Sequence, residues 1–254
     1  MKVVILAGGF GTRLSEYTRT IPKPMVEVNK VPILIHIMNI YANSGFNDFI
    51  IATGYKNKLI NNFFLKNAQN IKKKTNSINL DFHFNKKNLK LFCHVHLVYT
   101  GLKTMTGGRL KKLKPYLNDQ TFMLTYGDGL AKLNIRELLS YHKKIKKIAT
   151  LTAVRPPVRF GELSLKGNTV KKFEEKPKLS KGWINGGFFV FDRKIFQFLK
   201  SDQEMLERKP MERITKKSEL AAFKHYDFWQ CMDTKRDKDL LERLYKKNKS
   251  LWLV

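Results

Sequence analysis

The chain has 254 residues, 43% of them hydrophobic, which is enough for one α/β domain with a sizeable core. Lys and Arg number 49 against 21 Asp and Glu, a formal net charge of +28 that attracts polyanionic ligands. No run of eighteen apolar residues predicts a membrane-spanning helix, and the start reads as a short strand rather than a signal peptide. Cys93 and Cys231 form neither a metal-spaced motif nor a disulfide framework, so a reducing cytoplasm is the expected setting. The basic runs, among them Lys72-Lys73-Lys74, Lys143-Lys144 and Lys246-Lys247, are scattered and lack interleaved aromatics. That pattern speaks for a solvated surface rather than a specific nucleic-acid site.

In chain order, Met1–Leu6 reads as a buried strand running into a glycine-rich turn. A helix over Ile33–Ser44 begins after Pro32 and is stopped by Gly45. Phe49–Thr53 is a strand, Lys56–Phe64 a helix, and Asn67–Ser77 reads as a polar, Asn- and Lys-rich loop suited to an excursion or an oligomer contact. Leu80–Phe84 and His94–Tyr99 alternate as strands. Thr106–Leu117 starts as a loop and becomes a basic helix. Thr121–Tyr126 is an apolar strand ending in Gly127-Asp128-Gly129, followed by a helix over Ile135–Lys144 and a strand over Ala149–Val154. This alternation predicts an α/β fold with a doubly wound, mostly parallel, Rossmann-like sheet.

The second half reads as strand-rich. Glu162–Leu165 and Val170–Glu174 flank a hairpin turn at Lys166-Gly167-Asn168-Thr169. Gly187–Phe191 is a strand, Pro210–Lys217 a short helix, Leu220–His225 and Phe228–Gln230 short strands, and Lys235–Lys246 a closing helix. No linker or repeat interrupts the chain. One domain over residues 1–254 is expected, with 1–150 mainly handling nucleotide and 151–254 mainly handling a second substrate.

The turn Gly8-Gly9-Phe10-Gly11-Thr12-Arg13 follows directly on the first strand. Such a turn leaves backbone N–H groups pointing outward, where phosphate oxygens bind. Arg13 adds a cationic fork, and Lys23, between Pro22 and Pro24, a second cation on stiff backbone. Leu14 stands where a dinucleotide fingerprint needs its third glycine. No Gly-Lys-Ser/Thr follows, so the loop is not a Walker A loop. Nucleoside triphosphate chemistry is the expectation, and it calls for Mg²⁺ on one or two carboxylates. Asp128 sits beyond a strand's carboxyl end, where open α/β sheets bind ligands. Asp233 is a second candidate, although taken alone it also fits the N-cap of the helix that follows.

The string Gly8-Gly9-x-Gly11-Thr12-Arg13-Leu14…Pro22-Lys23-Pro24-Met25 resembles the signature of the sugar-phosphate nucleotidyltransferases. These enzymes join a nucleoside triphosphate to a sugar 1-phosphate and release pyrophosphate. The resemblance implies that Leu6, Ala7, Gly8, Gly9, Gly11, Thr12, Arg13 and Lys23 hold the nucleotide. It also implies that Asp128 and Asp233, the latter in Trp229-Gln230-Cys231-Met232-Asp233-Thr234, ligate Mg²⁺. In Phe173-Glu174-Glu175-Lys176-Pro177 it places Glu175 on sugar hydroxyls and Lys176 on the sugar phosphate. Asn185 and Tyr126 fall beside the sugar, and Arg13, Lys23, Asp128 and Lys176 carry the catalytic roles.

Within the family, Thr104-Met105-Thr106-Gly107-Gly108-Arg109 is similar to the base-reading string of a subgroup that uses CTP and glucose 1-phosphate. Thr104, Gly108 and Arg109 would then contact the base, Arg109 by donating to a carbonyl oxygen. Arg155-Pro156-Pro157-x-Arg159-Phe160-Gly161 and Ile184-Asn185-Gly186-Gly187-Phe188-Phe189 extend the similarity. The resemblance implies a homo-oligomer, with a hexamer suggested by the subgroup, and a nucleotide sugar destined for surface polysaccharide such as lipopolysaccharide O-antigen. Departures occur at Phe10, Val158, Asp227, Cys231 and the stretch Lys86–Phe92, none of them at a residue with a proposed catalytic role. The alternatives are the same reaction with UTP or dTTP, or a non-catalytic paralogue that binds nucleotide sugar.

Overall fold

The computed structural model describes residues 1–86, 89–157, 162–174, 182–248 and 251–252. Its centre is a nine-stranded sheet in the spatial order 220–224, 149–154, 184–192, 121–126, 3–7, 48–53, 89–99, 77–86, 68–74. Val3–Ala7 pairs in parallel with both Asp48–Thr53 and Thr121–Tyr126, and Asp48–Thr53 in parallel with Leu89–Tyr99. These central strands have side chains buried on both faces, as their apolar runs require. Val3, Ile5 and Ala7 enter one core cluster, and Val4 and Leu6 enter the other on the opposite face. The doubly wound α/β sheet expected from the alternation of elements is therefore present. Antiparallel pairings flank it: Thr121–Tyr126 with Ile184–Asp192, and Ser77–Lys86 with Leu89–Tyr99.

Local signals explain most boundaries. Ile33–Asn43 is helical after Pro32, buried from Ile33 to Tyr41, and ends near Gly45 at φ 88°. Asn134 caps Ile135–Ile145 by accepting from the backbone N–H groups of Arg136 and Glu137. Lys235–Lys247 opens on a capping box in which Thr234 and Asp237 satisfy each other's backbone N–H groups. The hairpin of Glu162–Lys166 and Thr169–Glu174 forms as expected.

Two expectations fail, the first at Thr106–Lys112, which is helical from Thr106 on without the loop expected at its start. Nor is Asn67–Ser77 a loop: Ala68–Lys74 is an edge strand, and Ser77 opens the strand Ser77–Lys86 across a tight turn. Asn and Lys have low strand propensity, but pairing to a ready-made neighbour overrides it. The exposed Lys72, Lys73 and Lys74 also discourage further pairing at that edge. The strand expected at His94 starts at Leu89, and a 3₁₀ helix over Arg193–Phe198, not expected, follows Asp192.

Near Trp252 the chain packs against the helix Ile33–Asn43. Trp252 is fully buried, stacks on Phe228 at 5.9 Å between ring centroids, and donates from its indole to His36 Nδ1 at 3.3 Å. Truncating so large a buried ring costs about 3–5 kcal/mol, so Trp252→Ala should lose that much stability in urea unfolding. His36 is itself buried, with Nε2 3.0 Å from the Val28 carbonyl. Burial drags its pKa down to about 4, against the pull of Val28 and Glu242. The folded value lies below the ordinary 6.5, so this contribution is complete above about pH 6.5 and is lost as pH falls toward 4. Unfolding free energy measured across that window should fall, and His36→Gln should flatten the slope.

Candidate active site

The site lies beyond the carboxyl ends of the central parallel strands. Gly11 takes φ 66° and starts a short 3₁₀ turn over Thr12–Leu14, which swings Arg13 outward. A Cβ on Gly11 would lie 2.9 Å from the Thr18 side chain, so both conformation and space favour glycine. Lys23 starts a second 3₁₀ turn after the extended Pro22. Pro24 packs beneath Gly127, where a Cβ would meet the Pro24 ring at 2.9 Å.

Asp128 and Asp233 are brought together by a two-stranded antiparallel ribbon, Gly129–Ala131 against Trp229–Cys231. Met232 donates its backbone N–H to the Asp128 carbonyl at 2.8 Å, which fixes the register. The N-cap that Asp233 alone could have supplied belongs instead to Thr234, leaving the Asp233 carboxylate for the cleft. Lys23 Nζ donates to Asp128 Oδ2 at 2.6 Å and to Asp233 Oδ1 at 2.5 Å, and Arg13 donates to Asp233 Oδ2 at 2.6 Å. Burial, the largest single influence, opposes charge on Lys23, but Asp128 and Asp233 outweigh it and its pKa is raised.

A cavity of about 620 Å³ opens on this cluster. Leu6, Ala7, Gly8, Gly9, Gly11, Thr12, Arg13, Lys23, Thr104, Arg109, Tyr126, Asp128 and Asn185 all line it. A smaller neighbour of about 260 Å³ shares Arg13, Tyr126, Asp128 and Asn185 and adds Asp233. Two hard carboxylates facing one cation position suit Mg²⁺, which takes one or two carboxylates and fills the rest of its shell with phosphate oxygens and water. Lys23 Nζ, within 2.6 Å of an oxygen from each, stands as a cation between them. Among the described residues no group of three or more potential ligands occurs.

Two residues expected at the base also have structural partners, and of the two Arg109 lines the cavity. Gly108 lies against the Asp202 backbone, where a Cβ would come within 2.2 Å; its lack of a side chain serves that packing. Arg109 is 3% exposed. Its terminal nitrogens donate to the carbonyls of Thr53, Gly101 and Gly8 and to Thr100 Oγ1, at 2.6–3.1 Å. Burial lowers its pKa to about 10, so it stays charged at neutral pH. Its guanidinium ties the glycine turn to the two strand ends beside it. Glu175 and Lys176 lie outside the described residues, as does Val158 among the departures. Cys231 is in the ribbon, its thiol pushed up to about 12 by burial and the nearby Asp233.

Glu207 escaped the sequence reading. Tyr126 donates its phenol to Glu207 Oε1 at 2.5 Å, and Thr106 donates to Oε2 at 2.7 Å. Tyr126 is held neutral, its pKa driven well up by burial and by Glu207. No local pattern marks a glutamate 81 residues beyond its partner. Asn185 Oδ1 accepts from the Gly187 N–H at 2.9 Å, and the Trp229 indole donates to the Gly186 carbonyl at 2.8 Å. Together they shape the wall beside Tyr126.

A nucleotidyl transferase family model matches residues 2–243. The chain belongs to that family. A glucose-1-phosphate cytidylyltransferase of Salmonella typhimurium is 44% identical over 259 residues, covering 99% of this chain and 98% of the relative. A mannose-1-phosphate guanyltransferase of Hypocrea jecorina is 28% identical over 95% of this chain and 62% of its own length. The crystal structure of HddC from Yersinia pseudotuberculosis superposes with a TM-score of 0.70 at 23% identity, covering 96% of this chain and 99% of that one. That likeness speaks to the nucleotidyl transferase fold. Gly8→Ala tests the geometry of the turn, since its Cβ would fall 2.3 Å from the Arg109 guanidinium. Overpacking of this kind costs about 1–3 kcal/mol. Titration calorimetry should show nucleotide binding at least about tenfold weaker with an unchanged circular dichroism spectrum.

Proposed function

We propose that this enzyme transfers a cytidylyl group from CTP to glucose 1-phosphate, giving CDP-glucose and pyrophosphate. The observation that carries this reading is the 44% identity, nearly end to end, with a glucose-1-phosphate cytidylyltransferase. The clustering of Arg13, Lys23, Asp128 and Asp233 supports the chemistry. In the reaction, an oxygen of the sugar phosphate attacks the α-phosphorus in line. The new P–O bond forms as the bond to the bridging oxygen of pyrophosphate breaks.

The amides of Gly8–Gly11 and the Arg13 guanidinium receive the β- and γ-phosphates. Lys23 places its charge between the α-phosphate and the sugar phosphate. Asp128 and Asp233 would hold Mg²⁺, which when bound neutralises the triphosphate and fixes it for in-line transfer. Tyr126 and Asn185 face the hexose, and Thr104 faces the base. Glu175 on the sugar hydroxyls and Lys176 on the sugar phosphate complete the assignment by resemblance. Arg109 acts by holding the turn against the base pocket. Residues 1–150 thus serve mainly the nucleotide and residues 151–254 mainly the sugar. A cytoplasmic homo-oligomer, a hexamer by resemblance, feeding CDP-glucose to surface-polysaccharide synthesis fits the same reading.

Purified protein should release pyrophosphate only when CTP, glucose 1-phosphate and Mg²⁺ are all present, and UTP, dTTP and GTP should give clearly lower turnover. Faster turnover with any of those three would overturn the base assignment. Asp128→Ala should lower kcat by at least about a hundredfold, on the scale of removing one preorganised electrostatic group.

A further inference from the structure

Lys23 and Arg13 make bonds that the transfer reaction does not need. In the transfer their charges belong on phosphate, yet in the chain as it stands all three short ion pairs run to the two carboxylates. Lys23 Nζ spans Asp128 and Asp233, and Arg13 holds the second oxygen of Asp233. The Lys23 side chain is only 12% exposed, and Asp128 and Asp233 are 26% and 18% exposed. The two Lys23 pairs are therefore poorly screened, unlike ordinary surface ion pairs, whereas Arg13 is 73% exposed and its pair with Asp233 is the more screened of the three.

The charges make this arrangement self-contained. Two carboxylates face two cations, and the cluster is neutral. A bare divalent cation entering it would meet Lys23 within the same few ångströms, and like charges at that distance repel strongly in a partly buried site. A triphosphate alters the balance, because it offers Lys23 and Arg13 anionic oxygens a short swing away, along the Gly8–Gly11 turn that lines the same cavity. Lys23 is placed for that swing: its 3₁₀ turn lies against Gly11, where an added Cβ would stand 3.1 Å from the Lys23 Cβ.

We infer that Lys23 acts as an internal cation lock. It holds Asp128 and Asp233 in register while no nucleotide is bound, keeps free divalent cations out, and yields the carboxylates only when a triphosphate draws its ammonium away. The metal then enters with the nucleotide and not before it. This inference rests on the assignment of Asp128 and Asp233 as metal ligands, and its test separates the two.

The probe is Mn²⁺ added to the full chain without nucleotide, read by the loss of the free-ion electron paramagnetic resonance signal. Wild-type protein should bind it weakly. Lys23→Ala should bind at least tenfold more tightly, with Lys23→Gln as a second variant of similar length and thermal unfolding as the check on folding. Adding Asp128→Asn to Lys23→Ala should return binding to the wild-type level. If Lys23→Ala and Lys23→Gln both bind no more tightly than wild type, while Asp128→Asn abolishes the binding that wild type shows, the carboxylates are the metal site and the lock is wrong. If the tightened binding survives Asp128→Asn, Mn²⁺ sits elsewhere, and the metal assignment falls together with the lock.

Discussion

Lys23 lies 105 residues from Asp128 and 210 from Asp233, yet one ammonium group holds both carboxylates. Everything else in the site is arranged so that this contact is possible. The parallel strands bring their carboxyl ends to one side of the sheet, and the glycine turn and Asp128 leave from neighbouring strands at that end. The ribbon of Gly129–Ala131 with Trp229–Cys231 brings Asp233 beside Asp128. Pro22 and Pro24 stiffen the approach of Lys23, and Pro24 packs where Gly127 leaves room. A cluster of partly buried charges is costly unless each member is paired, and here each partner is supplied by a different part of the chain.

The division of the cavity follows from the same topology. Strands Val3–Ala7 and Asp48–Thr53 end under the glycine turn, and Arg109 ties their ends together from the helix Thr106–Lys112. Strand Ile184–Asp192 runs antiparallel beside Thr121–Tyr126, so its beginning, not its end, faces the cavity. Asn185 therefore sits next to Tyr126, and Gly187 at φ 81° lets the tyrosine ring lie directly on the backbone, 2.7 Å from where a Cβ would be. Glu207 closes this wall by accepting from Tyr126 and from Thr106, at the start of the helix Thr106–Lys112, at once.

The parts of the site legible in the sequence are those whose chemistry is local. A glycine turn after an apolar strand, a lysine between prolines, and an aspartate between glycines at a strand end each declare a function within a few residues. Asp233 was ambiguous because a helix begins beside it, and the ambiguity ends with Thr234, which takes the capping role. What stayed hidden depends on contacts across long stretches of chain. Glu207 looks like any surface glutamate until Tyr126 is placed against it. Arg109 lines the cavity as a base-facing arginine should, but its bonds to Thr53, Thr100 and Gly8 are not legible from its own neighbours in sequence. In the fold, Ala68–Lys74 is a strand only because Ser77–Lys86 already offers it an edge, a condition no local composition records. Gly108, likewise, is explained by the Asp202 backbone and not by anything near it in sequence.

The ribbon that delivers Asp233 has a consequence for how the molecule comes into being. Its second strand, Trp229–Cys231, comes far along the chain from its first, and Trp252, farther still, packs against His36. Contacts of such long range form late, because loop closure must precede any gain from them. During synthesis, domains tend to fold from the N-terminal side first. The central strands up to Thr121–Tyr126 leave the ribosome well before the segment that completes the carboxylate pair. A nascent chain thus holds its glycine turn and Asp128 long before the segment that sets Asp233 beside them has emerged, so the charge cluster is among the last features of the cavity to assemble.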